Sequence, residues 1–243
     1  MAHHNPLAQF EVYPIVPLEI GGINISFTNA SLWMVLATLG TLAMLGIAAR
    51  RPALIPGRLQ SAGEALIDWI AGTMRDTAGE EALKYFPAVF TLFIFILFAN
   101  FFGMIPYSFT TTSHIIVTFA LAICVFLGVT VIAIVKNGPI KFLKLFLPPG
   151  VPLAMAPMMF IIELISYLAR PISLSLRLAI NMMVGHTLMK VIAGFVFVLG
   201  LAGIVPLAFL VLLTGFEFGI ALLQAYVFTI LTCVYLNDAL HLH

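Results

Sequence analysis

From Tyr85 to Val135 the chain reads YFPAVFTLFIFILFANFFGMIPYSFTTTSHIIVTFALAICVFLGVTVIAIV, without a single aspartate, glutamate, lysine or arginine. A helix that crosses the roughly 30 Å hydrocarbon core of a bilayer needs about 20 mostly apolar residues. The stretch is long enough for two such helices, and a polar turn that begins at Pro106 interrupts it near its middle. It therefore predicts a membrane hairpin, 86–135, with helices at 86–105 and 115–135.

The composition of the whole chain also indicates a membrane protein. Of its 243 residues, 62% are hydrophobic and only 9% are charged, whereas a soluble domain carries about 25% charged residues. The mean hydropathy is +1.14, and a soluble protein of this size needs more polar surface than such a composition supplies. The net charge of +1 predicts no nucleic-acid partner. The two cysteines lie singly in apolar runs, so we expect neither a disulfide nor a metal site.

Two segments precede this hairpin. Residues 30–49 have the length of one span and follow an N-terminal segment, 1–29, that has no lysine or arginine. In 58–77, apolar residues recur at helical spacing on one face, and charged and amide residues lie on the other. This pattern predicts an amphipathic helix on the membrane surface. A soluble linker helix is the alternative.

The segment 152–240 is almost wholly apolar, and we predict a turn at 200–206. As one helix, 152–200 would be on the order of 70 Å long, more than twice the thickness of the hydrocarbon core. Either it breaks near Pro171 into two spans, or it is one steeply tilted helix that pairs with a helix over 205–237. Periodicity alone does not decide between these two possibilities.

Basic residues predict the orientation of the chain. They cluster after the first and third predicted spans, whereas the N-terminal segment and the two other turns have none. The positive-inside rule then places the N-terminus outside and the basic loops in the cytoplasm. With five spans the C-terminus is cytoplasmic, whereas a break at Pro171 would leave it outside. The clustered residues are Arg50, Arg51, Arg58, Arg75, Lys84, Lys136, Lys141 and Lys144.

A few ionisable groups interrupt the last apolar segment, and each is a candidate functional residue because a charge in a bilayer is costly. Arg177 is a fixed positive charge, since a guanidinium stays protonated; an arginine that snorkels from a helix end is the alternative. On one helix, Glu163 lies about 40° from Arg177 and about 21 Å toward the cytoplasm. His186 lies about 180° from Arg177 around the helix and about 14 Å along it in the opposite direction, toward the outside. The fixed charge thus lies between two titratable groups.

An antiparallel hairpin would bring further residues together. If the hairpin turns at 200–206, residues whose numbers sum to about 403 face each other across it. His186 then meets Glu217, and Arg177 meets 224–226. Glu217 and Gln224 share a face, because they are seven residues apart. A His–Glu pair in an apolar site can pass protons; a static ion pair that locks the hairpin is the alternative. Other polar residues that could line wet paths, or simply bond between helices, are Asn100, Ser173 and Asn181.

Two stretches of this hairpin, Glu163-LISYLARPISLSL-Arg177-LAI-Asn181 and Leu223-Gln224-AYVFTILTCV-Tyr235, closely resemble the signature of subunit a of the F-type ATP synthase. The resemblance covers essentially the whole chain. It implies an all-α membrane protein with five transmembrane helices and a surface amphipathic helix. The last two helices, within 152–240, would be long, tilted and curved as a hairpin against a ring of c subunits. The resemblance thus favours one tilted helix over a break at Pro171.

The resemblance also implies roles for the candidate residues. Arg177 would face the proton-carrying carboxylate of the c-ring, Glu163 would lie in the cytoplasmic half-channel, and His186 and Glu217 would lie in the outer one. The other expected proton-translocation residues are Gln224, Asn181, Asn100 and Ser173. Many bacterial members carry glutamate at position 186 and histidine at 217. The exchange seen here resembles mitochondrial members and implies a proton-driven enzyme of related lineage. Some bacterial members carry an aspartate near Gly103, so the outer-channel carboxylate from that helix is in doubt here.

The function that the resemblance implies is that of a non-catalytic stator subunit in the bacterial inner membrane. It would deliver protons to and from the c-ring through two offset half-channels and so drive rotation coupled to ATP synthesis. Its expected partners are the c-ring, the b subunits of the peripheral stalk, other ATP synthase subunits and membrane lipid, and no cofactor is expected. The alternative is a stand-alone proton-coupled secondary transporter, which would need a substrate cavity and usually repeated halves; neither is evident in the sequence.

Overall fold

The computed structural model describes residues 10–20, 23–24, 26–48, 57–105, 108–147 and 155–241. Five of its helices are long and apolar enough to cross a membrane, which confirms the predicted all-α membrane fold. Short 3-10 turns lie at Glu80–Tyr85, Thr111–Ser113 and Gly200–Gly203. The α-helices are α1 (Asn29–Ala48), α2 (Arg58–Ala78), α3 (Phe86–Gly103), α4 (Ile115–Asn137), α5 (Pro139–Lys144), α6 (Ala156–Val198) and α7 (Ile204–Leu240). The five candidate spans are α1, α3 with the turn before it, α4, α6 and α7.

The N-terminal segment forms two small antiparallel pairs, which the sequence did not predict. Strand β1 (Pro14–Val16) pairs with β4 (Phe27–Thr28), and β2 (Glu19–Ile20) pairs with β3 (Ile23–Asn24). Strands of two or three residues are too short to show the alternation of polar and apolar residues that identifies a strand. The outer pair ends directly before α1, so it fixes the N-terminal segment to the start of the first span.

Helix α6 continues without a break through Pro171, as the resemblance implies. Proline lacks the amide hydrogen that would bind the carbonyl four residues earlier, here that of Tyr167. Such a helix persists in a membrane where neighbouring elements support it. Helix α4 packs beside this part of α6, and the hydroxyls of Thr130 and Tyr167 are 2.6 Å apart. A tertiary contact thus lies next to the region where the sequence allowed a break.

Glycines make the turn between α6 and α7. Gly200 has a φ of +57°, a conformation that glycine adopts more readily than other residues. A Cβ at Gly203 would collide with the backbone carbonyl of Val196. Helix α7 begins at Ile204, so Pro206 lies in its first turn, where a missing amide hydrogen costs little. The turn is therefore shorter than the predicted 200–206.

The core of the protein lies where α3 packs against the long hairpin. Phe93 and Ile94 of α3 are fully buried, and so are Leu178 of α6 and Phe228 of α7. Helix α2 also packs against the bundle, and its apolar residue Met74 is fully buried. The apolar face that predicted a surface helix is thus largely covered by protein. The outer faces of α1, α4, α6 and α7 expose large apolar side chains.

Candidate functional site

His186 of α6 and Glu217 of α7 form a buried polar pair inside the hairpin. Their side chains are 3.8 Å apart between Nε2 and Oε1, and their residues are 7% and 3% exposed. This is the pairing that the hairpin register predicts. His186 Nε2 also lies 3.2 Å from the hydroxyl of Thr110. Among the described residues, neither carboxylate oxygen of Glu217 has a hydrogen-bond partner, so the carboxylate is available to water or a proton.

Gly185 makes the room that the Glu217 carboxylate occupies. A Cβ built at position 185 would lie 2.5 Å from Glu217 Oε1, a distance that side-chain atoms do not tolerate. Gly103 has a similar role for Thr110, because a Cβ there would lie 2.7 Å from Thr110 Cγ2. The hydroxyl of Thr110 also lies 3.3 Å from the carbonyl of Gly103. Two glycines therefore allow α3, α6 and α7 to converge on His186.

Asn100 connects α3 to α7 close to this pair. Its Nδ2 donates to the carbonyl oxygen of Ala221 at 3.1 Å, one helical turn beyond Glu217. The residue is fully buried, and its Oδ1 has no hydrogen-bond partner within the described chain. Since buried polar atoms normally have a partner, this oxygen marks a place where an internal water would bind.

Asn181 and Gln224 extend the row of polar groups along the hairpin. Asn181 Nδ2 donates to Gln224 Oε1 at 2.8 Å. Gln224 is 2% exposed, and its Nε2 has no partner in the part of the chain that the structure describes. On α7, Glu217, Ala221 and Gln224 are four and three residues apart, so they lie on one face. The row leads from the His186–Glu217 pair toward Arg177, which precedes Asn181 by one turn.

Arg177 lies at the middle of α6 on its exposed face. It makes no hydrogen bond or ion pair with any described residue. Its neighbour Ile180, which lies about 60° away and one turn further along α6, is 48% exposed. Ser173, one turn before the arginine, is exposed on the same side. A fixed charge on an apolar face at the middle of a span therefore has no counter-ion within this part of the chain.

Arg170 contrasts with Arg177, although it lies only seven residues away on the same helix. Its Nη1 is 3.0 Å from Asp238 Oδ2 of α7. Its guanidinium carbon lies 5.3 Å from the ring centre of Tyr167 and 5.1 Å from that of Tyr235, within cation–π range. Glu163, seven residues earlier again, is half-buried and makes no ion pair within the described ranges.

A cleft of about 700 Å³ leads from the surface to His186. The N-terminal segment, the start of α1 and the end of α3 form one wall, and α6 and α7 form the other. Among the described residues, the ionisable side chains of the cleft wall are those of Glu11, Tyr13, His186 and Lys190. The described residues hold no group of three or more histidine, cysteine or acidic side chains that could bind a metal. The cleft thus gives access to the histidine of the buried His186–Glu217 pair.

Sequence reasoning missed three parts of this site. The contact of Thr110 with His186 depends on how the turn after α3 folds, and the spacing of apolar residues along the chain does not predict the conformation of a turn. The role of Gly185 is visible only once Glu217 is placed beside it. The Arg170–Asp238 pair had a weak signal, because the two numbers sum to 408, close to the sum of 403 that relates facing residues of the hairpin.

Comparison with known proteins gives consistent similarities along nearly the whole chain. The family model for the ATP synthase A chain matches residues 31–237. The ATP synthase subunit a of Parvibaculum lavamentivorans is 55% identical over 244 residues, which cover 98% of this chain and 94% of that protein. The subunit a of Pelagibacter ubique is 54% identical over 241 residues, with 98% of each chain covered. That of Paramagnetospirillum magneticum is 52% identical, with 98% and 99% covered.

Proposed function

Because the chain belongs to the ATP synthase subunit a family, we propose that its α6–α7 hairpin passes protons to and from a c-ring through two offset half-channels. The chain is a proton-channel stator subunit of a rotary ATP synthase, and other subunits of that complex are its partners. A stand-alone transporter is not favoured by these similarities.

The observation that carries the proposal is the unpaired Arg177 on the exposed apolar face of α6. A bare cation at the middle of a span is costly, so a neighbouring subunit must bring a counter-charge to this face. A carboxylate on the c-ring supplies it, and the arginine keeps the facing carboxylate ionised. A proton that tried to pass directly between the half-channels would have to approach this fixed positive charge.

The outer half-channel begins in the cleft that ends at His186. A proton passes from His186 to the adjacent Glu217, which has no other described partner. It then follows the polar row formed by Asn100, Gln224 and Asn181, with water at their unpaired atoms. It reaches the ring carboxylate near Arg177, in a region where Ser173 is exposed on the same face.

After a nearly complete turn of the ring, the proton leaves on the other side of Arg177, past Glu163. Each charge that crosses the membrane is worth about 2.3 kcal/mol per 100 mV, and rotation transmits this energy to a separate catalytic head. The subunit itself therefore performs no ATP chemistry. Subunits b of the peripheral stalk hold it against the torque of the ring.

The orientation follows from the basic loops in a bacterial inner membrane. Lys84, Lys136 and Lys141 then lie on the cytoplasmic side with the C-terminus, and the N-terminal segment lies outside. Thiol labelling of single cysteines introduced near each end tests this orientation. Labelling of both ends from the same side would contradict it.

Arg177→Ala tests the function directly. In inverted membrane vesicles we expect the variant to lose ATP-driven proton pumping. The substitution removes both the electrostatic barrier between the half-channels and the positive charge that faces the ring carboxylate. Pumping at the wild-type rate would overturn the proposal. Assembly is checked by the amount of bound catalytic head.

Cross-linking tests the c-ring contact. A cysteine in place of Ser173, which is exposed, should form a disulfide with a cysteine placed beside the ring carboxylate. Ser175→Cys is the matched control, because this side chain is 1% exposed and faces the bundle. Equal cross-linking at both positions would show that this face of α6 is not the ring interface.

A further inference from the structure

The cleft that leads to His186 carries two charged side chains that the proton path so far leaves unused. Lys190 lies one helical turn beyond His186 on α6, and Glu11 lies on the N-terminal segment. Both line the cleft and both are exposed. Within the described chain, neither belongs to an ion pair. Their charges therefore act on the contents of the cleft rather than on a fixed partner.

A buried amide holds Glu11 in place at the cleft. Asn29, which is 4% exposed, donates from Nδ2 to the carbonyl of Glu11 at 3.1 Å and accepts from the amide of Tyr13 at 3.2 Å. The backbone amide of Asn29 donates in turn to the carbonyl of Tyr13 at 3.1 Å. Three hydrogen bonds thus tie the segment around Glu11 to the first residue of α1. The backbone of Glu11 is therefore held beside the start of α1, and its side chain lines the cleft.

The charge of Lys190 would by itself oppose the entry of protons. A hydronium ion on its way to His186 must pass an ammonium group in a confined space with apolar walls, where like charges repel more strongly than in bulk water. A carboxylate in the same cleft cancels this field. It also raises the local concentration of cations, as charged clefts do.

We infer that Glu11 is the carboxylate that collects protons at the mouth of the outer cleft and offsets the charge of Lys190. This inference rests on the proposed function, because it concerns the entry to the same path. Among the described residues, the ionisable groups around Glu11 are Tyr13 in the same N-terminal segment, His186 and Lys190 on α6, and His114 near the adjacent Phe10. The wall residues contributed by α1 and α7 are not ionisable. Glu11 is thus the acidic group at the cleft among the described residues.

The test uses the whole ATP synthase in proteoliposomes, with the catalytic head facing the bath and the cleft facing the lumen. The rate of proton-driven ATP synthesis is measured at lumenal pH 8 and at lumenal pH 6, always relative to the wild-type complex in the same buffers. At pH 8 we expect Glu11→Gln to be slower by about tenfold, because scarce protons are no longer collected. At pH 6 the difference should largely disappear.

Matched variants separate this role from a structural one. Glu19→Gln removes an exposed carboxylate of the same N-terminal segment that does not line the cleft, and it should behave as wild type at both pH values. Glu11→Asp should retain most of the rate. In the double variant Glu11→Gln with Lys190→Gln, the unopposed cation is gone, and part of the lost rate at pH 8 should return.

Each outcome decides a separate point. If Glu11→Gln equals Glu19→Gln at pH 8, or is equally slow at both pH values, Glu11 does not collect protons. A double variant no faster than Glu11→Gln would overturn the assignment of Lys190 as the charge that Glu11 offsets. Arg177→Ala, measured in the same assay, tests the proposed function separately from this inference. If Arg177→Ala synthesises ATP at the wild-type rate, the proposed function is wrong. If Arg177→Ala loses ATP synthesis but Glu11→Gln behaves as wild type, only the role of Glu11 is wrong.

Discussion

Arg170 and Arg177 lie on the same stripe of α6, seven residues and about 10.5 Å apart, in opposite electrostatic situations. Arg170 contacts Asp238 at 3.0 Å and lies between two tyrosine rings. Arg177 faces outward with no counter-ion in the described chain. The fold thus satisfies one guanidinium internally and leaves the other without a counter-ion among the described residues, where the proposed function places the c-ring.

The difference shows how a structural and a functional charge can be distinguished within one helix. The guanidinium of Arg170 joins α6 to α7, and the carboxylate of Asp238 neutralises its charge, so it interacts little with a passing ion. An unpaired cation on an apolar face is tolerated only if a partner covers it, so its exposure in the isolated chain indicates an interface.

The largest expected effect comes from replacing each arginine with lysine. Arg177→Lys should lose most proton-driven ATP synthesis, because a lysine in an apolar site can release its proton and no longer provides a fixed charge. Arg170→Lys should keep most activity, since an ammonium can still pair with Asp238. Equal losses in the two variants, measured in the same vesicles, would mean that the contrast between the arginines has no functional meaning.

An intermediate effect is expected at the His186–Glu217 pair. Glu217→Gln should slow proton-driven ATP synthesis by on the order of tenfold to a hundredfold, since a positioned proton acceptor is lost. His186→Glu alone places two carboxylates together and should also be slow. The exchange of both, His186→Glu with Glu217→His, should restore much of the rate because it rebuilds the pair.

This cycle is read from the two single variants and the double variant in vesicles. A double variant no better than the worse single would mean that the residues are not partners. Full activity of Glu217→Gln would make Glu217 a packing residue, and the outer path would then run elsewhere.

The smallest expected effect is at the internal ion pair. Asp238→Asn should lower the stability of the subunit in the complex by about 1 kcal/mol, the usual range for a pair that water partly reaches. The side chains of Arg170 and Asp238 are 29% and 40% exposed, so solvent screens much of their attraction. Heat-induced release of the subunit from the detergent-solubilised complex measures the change. A complete loss of ATP synthesis, with normal assembly, would assign Asp238 to the proton path instead.

Much of the site followed from spacing along the chain. The distance from Arg177 to Glu163 and His186 defined two faces of one helix, and the hairpin register brought His186 to Glu217. Both inferences depend only on helical periodicity and on an antiparallel turn, which are local properties. The bond between Asn181 and Gln224 agrees with the same register, because these two numbers sum to 405.

The sequence by itself determined the membrane location, the apolar segments that form the spans, the amphipathic α2 and the candidate site residues. These features depend on how many consecutive residues lack charge and on the 3.6-residue period, and a chain carries both before it folds. Tertiary structure decided whether α6 would break at Pro171, and the helix continues through this residue beside α4, where the hydroxyls of Thr130 and Tyr167 are 2.6 Å apart. It also decided which carbonyl Asn100 binds and which arginine is paired. It likewise brought Glu11 to the cleft of His186. Each of these depends on side chains distant in sequence that meet only when the helices pack.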